Sequence, residues 1–341
     1  MRVIIYMLVI VSLSGCDFMQ RFEDKTTVTL EIDTQWALHR KLDRLRDEMR
    51  DFLRHNNVPH VSIQRQGVVL HLEYKNDPQH SLNATLQKEF PEFSFDENPV
   101  SASTDSRQIV IRLPESVRND VVALARDYNI DVVTRLLNDR NIELKLKIVG
   151  LDRFEIEVAK SKIDESLLNI ITQHQHLALY LVSEKGRPHG FRVTTKDHQD
   201  LYLQRDSVIT GASIIHATAS RDDMTPGPVL NVVLDDISAE HMKAVTQKNL
   251  HRKMAVIVVE YKYGNDIGNG FQDAKVLSVA TIQGIFGKRF MISGIESTQE
   301  AETLAYHMRA GELATPQRVV RVGDKETLRE NRPDGSKSRK I

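Results

Sequence analysis

Reactive side chains do chemistry only when they converge, and this 341-residue sequence groups few of them. The 13 histidines are scattered. His174-Gln-His176 falls at the end of an expected helix, where a spacing of two puts the rings on different faces. No cysteine or carboxylate stands near them in sequence to complete a metal set. Asp222-Asp223 and Asp235-Asp236 sit in a loop and at a helix start, where carboxylates are ordinary turn and first-turn residues. There is no Gly-x-Ser-x-Gly elbow and no Walker loop. The glycine- and asparagine-rich segment 264–270 joins two expected strands, and no helix N-terminus follows it to offer amides to a phosphate. The expectation is therefore no enzyme, no metal and no cofactor, which leaves binding.

One residue does suggest a covalent modification. The apolar run 3–13 behind Arg2 is shorter than the roughly 20 residues of a spanning helix and fits a signal-peptide core. It ends in Leu13-Ser-Gly-Cys16, which looks like a bacterial lipobox, with the only cysteine of the chain as the acylated thiol. The plainer alternative is a signal peptide with an incidental cysteine. Acyl chains contribute about 0.8 kcal/mol per buried methylene, so two or more would hold the protein at a membrane. Asp17 then resembles the sorting residue that keeps enteric-type lipoproteins in the inner membrane.

Charge is plentiful but balanced at −1 overall, which argues against nucleic acid as a partner. With a single cysteine no internal disulfide can form, and the fold rests on its apolar core.

The elements that must position any binding surface come in a repeat. The first copy, 27–95, reads as a strand at 27–32 and a helix at 36–56. Leu38, Leu42, Leu45, Met49, Phe52 and Leu53 share one stripe of that helix. Paired strands follow at 60–65 and 68–74, turned at Gln66-Gly67, then a short helix at 81–90 and a strand at 93–95. The second copy, 108–184, reads as strand 109–113, helix 115–141, strands 142–149 and 153–158, helix 162–172 and strand 177–182. Each copy has the order β-α-β-β-α-β, so the expected class is α+β, with two ferredoxin-like units forming a base.

Residues 197–295 form a separate α+β head. Its expected parts are a short strand at 201–204, a turn at Gly211, an alternating strand at 229–234 and a helix at 239–250 capped by Ser238. Met254 to Lys262 is an apolar β-branched strand, with further strands at 274–279 and 289–293. In 296–320, Ser297-Thr-Gln-Glu300 has capping-box spacing ahead of a helix carrying Ala301, Leu304, Ala305 and Met308 on one face. Gly311 and Pro316 then stop the helix, and the chain returns to the base. The polar stretch 321–341 reads as a disordered tail.

Several short runs of this region, in order, resemble the first periplasmic domain of the SecD family of the bacterial Sec export machinery. They are Lys253-Met-Ala-Val-Ile-Val-Val-Glu-Tyr-Lys262, Ala280-Thr-Ile-Gln283, Met291-Ile-Ser-Gly-Ile295, Glu300-Ala301 and Met308-Arg-Ala-Gly-Glu-Leu-Ala-Thr-Pro316. The resemblance implies a base with an inserted head, the head holding emerging polypeptide. It also implies that the proton-driven step, which SecD places in its membrane helices, lies outside this chain. Expected partners are unfolded or translocating polypeptide, the Sec translocon or a SecF-like subunit, and a membrane reached through the lipid anchor. Phe271, Ile285 and Phe286, bulky apolar residues near loops, are the candidate polypeptide contacts, with core packing as the competing reading. An envelope scaffold that docks another membrane protein is the alternative function.

Overall fold

The computed structural model describes residues 24–58, 60–75, 82–99, 106–183, 190–195, 199–221, 227–264, 274–323 and 325–326. Cys16, Asp17, Asp222, Asp223, Phe271, the run 3–13 and the chain after 326 lie outside the described residues.

The first part runs β1 (Lys25–Ile32), α1 (Thr34–His55), β2 (His60–Gln66), β3 (Val69–Lys75), α2 (Leu82–Glu89) and β4 (Ser94–Pro99). The same order recurs in β5 (Ser106–Arg112), α3 (Glu115–Asp139), β6 (Lys145–Ile148), β7 (Arg153–Ala159), α4 (Glu165–Thr172) and β8 (His174–Val182). Then come β9 (Gly190–Thr194), β10 (Asp200–Thr210), β11 (Ile214–Arg221), β12 (Pro228–Leu234), α5 (Asp236–Lys248) and β13 (Lys253–Tyr261). The described chain closes with β14 (Ala274–Thr281), β15 (Arg289–Ile292), α6 (Thr298–Ala310), β16 (Gln317–Val322) and β17 (Lys325–Glu326).

The element order β-α-β-β-α-β thus occurs twice, but the two units do not close on themselves. One sheet has the order β2-β3-β5-β4 and another β17-β16-β1-β7-β6. In a self-contained unit of this kind the first strand lies in the centre, between the third and fourth. Here each central place is taken by the first strand of the other unit. β5 lies between β3 and β4, and β1 lies between β7 and β16. Helix length accounts for the exchange. α1 has 22 residues and α3 has 25, or about 33 and 37 Å at 1.5 Å per residue. The seven-residue strands β2 and β3 span only about 23 Å, so each helix overruns its own sheet and delivers the chain to the neighbouring one. Both sheets and four helices share one core, with Leu30, Leu42, Leu70, Ile109, Val133 and Phe154 sealed from solvent.

β8 is the second departure. It leaves the base and enters a head sheet of order β14-β13-β8-β10-β9, and β16 takes its place beside β1. This sheet is buried on both faces. Ala178, Tyr180, Ala255 and Ile257 line the small core inside its curl. Leu177, Leu179, Met254 and Val256 face the larger core under α5, α6 and a three-stranded sheet of order β11-β12-β15. Burial on both faces is why β13 reads as an unbroken apolar run. Gly190 is required where β9 meets β10, because a Cβ there would stand 1.8 Å from the Leu203 carbonyl oxygen.

Two local expectations shift. The cap of α5 is Asp235, whose carboxylate accepts from both the amide and the hydroxyl of Ser238, so the helix starts three residues early. The segment after 320 begins as β-structure, since β16 runs to Val322 and pairs with β17. At α6 the Ser297 hydroxyl accepts from the Glu300 amide at 3.1 Å, and the Glu300 carboxylate reaches back to the amide of Glu296. Gly311 has φ +92° and ψ 168°, an extended mirror-image conformation that stops the helix without forming a left-handed turn.

Candidate functional site

The β11-β12-β15 sheet is covered by a helix on one side, and on the other only its Val229 end is buried. α6 packs on the face carrying Ala217, Leu230, Val232 and Ile292, all buried. The opposite face presents Thr218, Asn231 and Met291 as one exposed row across the three strands, with the Asn231 amide donating to Ser220 Oγ at 2.8 Å. β11 and β15 end the sheet, so their outer backbone groups face no further strand among the described residues. The register shift between Ile214 and His216 leaves Ile215 exposed beside this face.

The loop between β14 and β15 adds the apolar groups. Its ends are pinned to backbone: Ile282 exchanges hydrogen bonds with His251 and Arg252, and the Lys288 carbonyl accepts from the Leu234 amide at 2.9 Å. In the middle, the Phe286 amide donates to the buried Thr246 hydroxyl at 3.0 Å. The backbone is therefore held against the end of α5 while Ile285 and Phe286 turn outward, 53% and 36% exposed. The core-packing reading of these two side chains does not describe where they sit. Sequence reasoning missed Ile215, Ile237 and Met291. Ile237 is 86% exposed on the first turn of α5, which Asp236 ties to Lys288 of the loop at 2.6 Å. An isoleucine between two aspartates and a serine at a helix start was the available signal.

A second constellation lies where the head meets the base. His174 and His176 belong to β8, not to a helix, so a spacing of two puts them on the same face. Both rings reach Glu312: His174 Nε2 donates to Oε1 at 3.2 Å and His176 Nδ1 to Oε2 at 2.7 Å. His174 is fully buried, with Trp36 of α1 and Tyr261 of β13 each 5.0 Å from its ring centroid. Burial depresses its basicity and outweighs the pull of Glu312. Burial alone would raise the Glu312 carboxyl, but hydrogen bonds from His174 and His176 hold it well below the usual carboxylate range. His307 of α6 is buried nearby and pushed down to about 4, first by burial and then by the charges of His174 and Arg140. His174 Nδ1 and His307 Nε2 have no hydrogen-bond partner among the described residues.

Beside this lies an ionic knot. The Glu31 carboxylate accepts from Arg153 and Arg318, each at 2.6 Å at its shortest, and from the Tyr263 hydroxyl at 3.4 Å. On the open side, head elements α6, β13 and β14 face base elements α4 and β16 across a crevice of about 1350 Å³. Its lining includes Asn169, Gln175, Tyr263, Lys275, Glu300 and Gln317. The crevice is rich in amides and holds no set of groups arranged for bond breaking. Among the described residues no group of three histidines, cysteines or carboxylates is placed to hold a metal, and no helix is long and apolar enough to cross a membrane.

Residues 189–315 match the family profile of the SecDF P1 head subdomain. The chain is similar to the protein translocase subunit SecD of Escherichia coli K12, 25% identical over 309 residues that cover 85% of this chain and 49% of that protein. SecD of Pseudomonas aeruginosa PAO1 is 24% identical over 84% of this chain, and SecD of Aquifex aeolicus is 25% identical over 84%. The chain spans about half the length of the curated relatives it matches. Among solved structures, SecDF in a super-membrane-facing form superposes with TM-score 0.46 at 20% identity, covering 58% of this chain and 28% of its own. A second, described as a membrane component SecDF that enhances protein export, gives TM-score 0.44 at 21% identity and covers 58% and 92%. The chain is thus similar to the protein translocase subunit SecD along most of its length, and residues 189–315 match the SecDF P1 head subdomain.

Proposed function

We propose that this chain serves protein export as a non-catalytic holder of translocating polypeptide, acting beside the Sec translocon or a SecF-like subunit on the periplasmic side of the inner membrane. The match of residues 189–315 to the SecDF P1 head carries the reading. The exposed groups of that segment suit the task. An extended chain can add to the edge of β15 through main-chain hydrogen bonds, and Ile285, Phe286 and Met291 offer apolar contact at its flank. Such contacts are tolerant of sequence, as a holder of many substrates needs. Residues 1–16 act as the targeting segment, Cys16 carries the lipid and Asp17 keeps the protein in the inner membrane. Tethering then raises the local concentration of the head near the export channel.

Photo-cross-linking from positions 285 and 286 during export tests this. Capture of several unrelated precursors, dependent on active translocation, is the expected result. Capture of one fixed envelope protein and no precursor would refute the holder and make the chain a scaffold. Cys16 is tested separately: a fatty-acid analogue labels the wild type and not Cys16→Ser, and an unlabelled wild type removes the anchor.

A further inference from the structure

Head and base are joined by two chain passages, one from α4 into β8 and one from Gly311 back to β16. His174 lies on the first passage and Glu312 on the second, so the hydrogen bonds from His174 and His176 to Glu312 staple the two together. Trp36 closes the pocket from the base, Tyr261 from the head, and His307 lies on the helix that leads into the second passage. The amide-lined crevice opens on the other side of the same joint.

We propose that this joint is an acid-released latch: His174 and His307, buried as neutral imidazoles, keep the head seated on the base, and a proton on either one lets the joint open.

The hydrogen-bond pattern gives the reason. A carboxylate only accepts, so His174 must carry its single proton on Nε2 to bond Glu312, which leaves Nδ1 as a bare lone pair. A second proton would go to Nδ1, where no acceptor waits among the described residues and aromatic rings pack close by. His307 Nε2 is placed the same way. The charged and titratable groups around His174 are Glu312, His176, Arg40 of α1 and Tyr261, whose phenol burial keeps neutral, and those around His307 are His174 and Arg140 at the end of α3. Only Glu312 attracts a proton, and it already accepts from two rings. The arginines repel one, and an unsolvated imidazolium is relieved by water entering from the crevice side. The proposal is independent of what the head holds.

The test is a distance. Asn169→Cys on α4 and Gln299→Cys on α6 place spin labels on the two walls of the crevice, in the full chain with Cys16→Ser. Pulsed electron resonance is recorded between about pH 7.5 and about pH 4, which spans the ordinary imidazole range and reaches the value to which burial brings His307. A single short separation should give way, reversibly, to a longer and broader one, with the far-UV circular dichroism unchanged. His174→Gln, which still donates to Glu312 and never takes a proton, combined with His307→Leu, should keep the short separation throughout. An unchanged separation in the wild type overturns the proposal whatever the variants do. So does an equal lengthening in the double variant, or a loss of circular dichroism in step with the separation.

Discussion

The amide of Gly264 in the head donates to the carboxylate of Asp33 in the base at 2.7 Å, and the other oxygen of that carboxylate caps α1 through the amide of Trp36 at 3.0 Å. Asp33 also holds the returning strand: its amide donates to the Pro316 carbonyl and its carbonyl accepts from the buried Thr315 hydroxyl, both at 2.7 Å. Asp33→Ala should lower unfolding free energy by about 1–2 kcal/mol through the cap. It should also raise amide exchange at Gly264. Asp33→Asn keeps a capping oxygen but can set an amide against Gly264, so it should restore most of the stability and little of the exchange protection. Denaturant unfolding and hydrogen exchange separate the two effects.

Glu31 lies almost buried between Arg153 and Arg318. Burial alone would raise its carboxyl, but the hydrogen bonds and charges of the two arginines bring it below the usual range. A depressed carboxylate contributes stability above its unfolded value, near pH 4.3, and loses it as the pH falls further. Both arginines are about half exposed, so Glu31→Gln should cost only about 1–2 kcal/mol at neutral pH. The gap between variant and wild type should close as the pH drops below about 4, read by urea unfolding at stepped pH.

The buried histidines act in the same direction but in a higher pH window. His307 binds its proton near pH 4 in the fold and near 6.5 when unfolded. The unfolded state therefore holds more protons between those values, and stability falls as the pH drops from about 6.5 toward about 4. A shift of that size corresponds to about 3 kcal/mol for this nearly buried ring. His307→Leu should flatten that part of the stability–pH curve and leave the neutral value little changed, because the ring nitrogen Nε2 it removes has no partner.

Ile285→Asp and Phe286→Asp should abolish precursor cross-linking from the β14–β15 loop. Ile285 is more than half exposed, so Ile285→Asp should change the unfolding free energy by no more than about 0.5 kcal/mol, and the more covered Phe286 should cost more, about 1 kcal/mol. Thr246→Val is the companion: it removes the hydroxyl that fixes the Phe286 amide, and should weaken capture through a looser loop while both apolar side chains remain.

Local signals were strong in this sequence. The stripe Leu38-Leu42-Leu45-Met49-Leu53 is the buried face of α1, and Ser297 and Glu300 cap α6 as their spacing implies. What could not be seen was the exchange of β1 and β5, because alternation along a strand says which face is buried and nothing about which strand lies beside it. The histidine pair was misplaced for a related reason. A spacing of two separates rings on a helix and aligns them on a strand, and their partner Glu312 lies 136 residues from His176. Ile285 and Phe286 were found as bulky groups in a loop, yet only the backbone pins around them explain why they turn outward.

The traded strands also set a timetable for synthesis. β1 leaves the ribosome before both of its neighbours, β7 from mid-chain and, much later, β16, with Val28 finding Ile156 on one side and Val322 on the other. A loop of nearly 300 residues has to be closed before that sheet is complete. Until β16 is made, β1 keeps one edge without its partner strand.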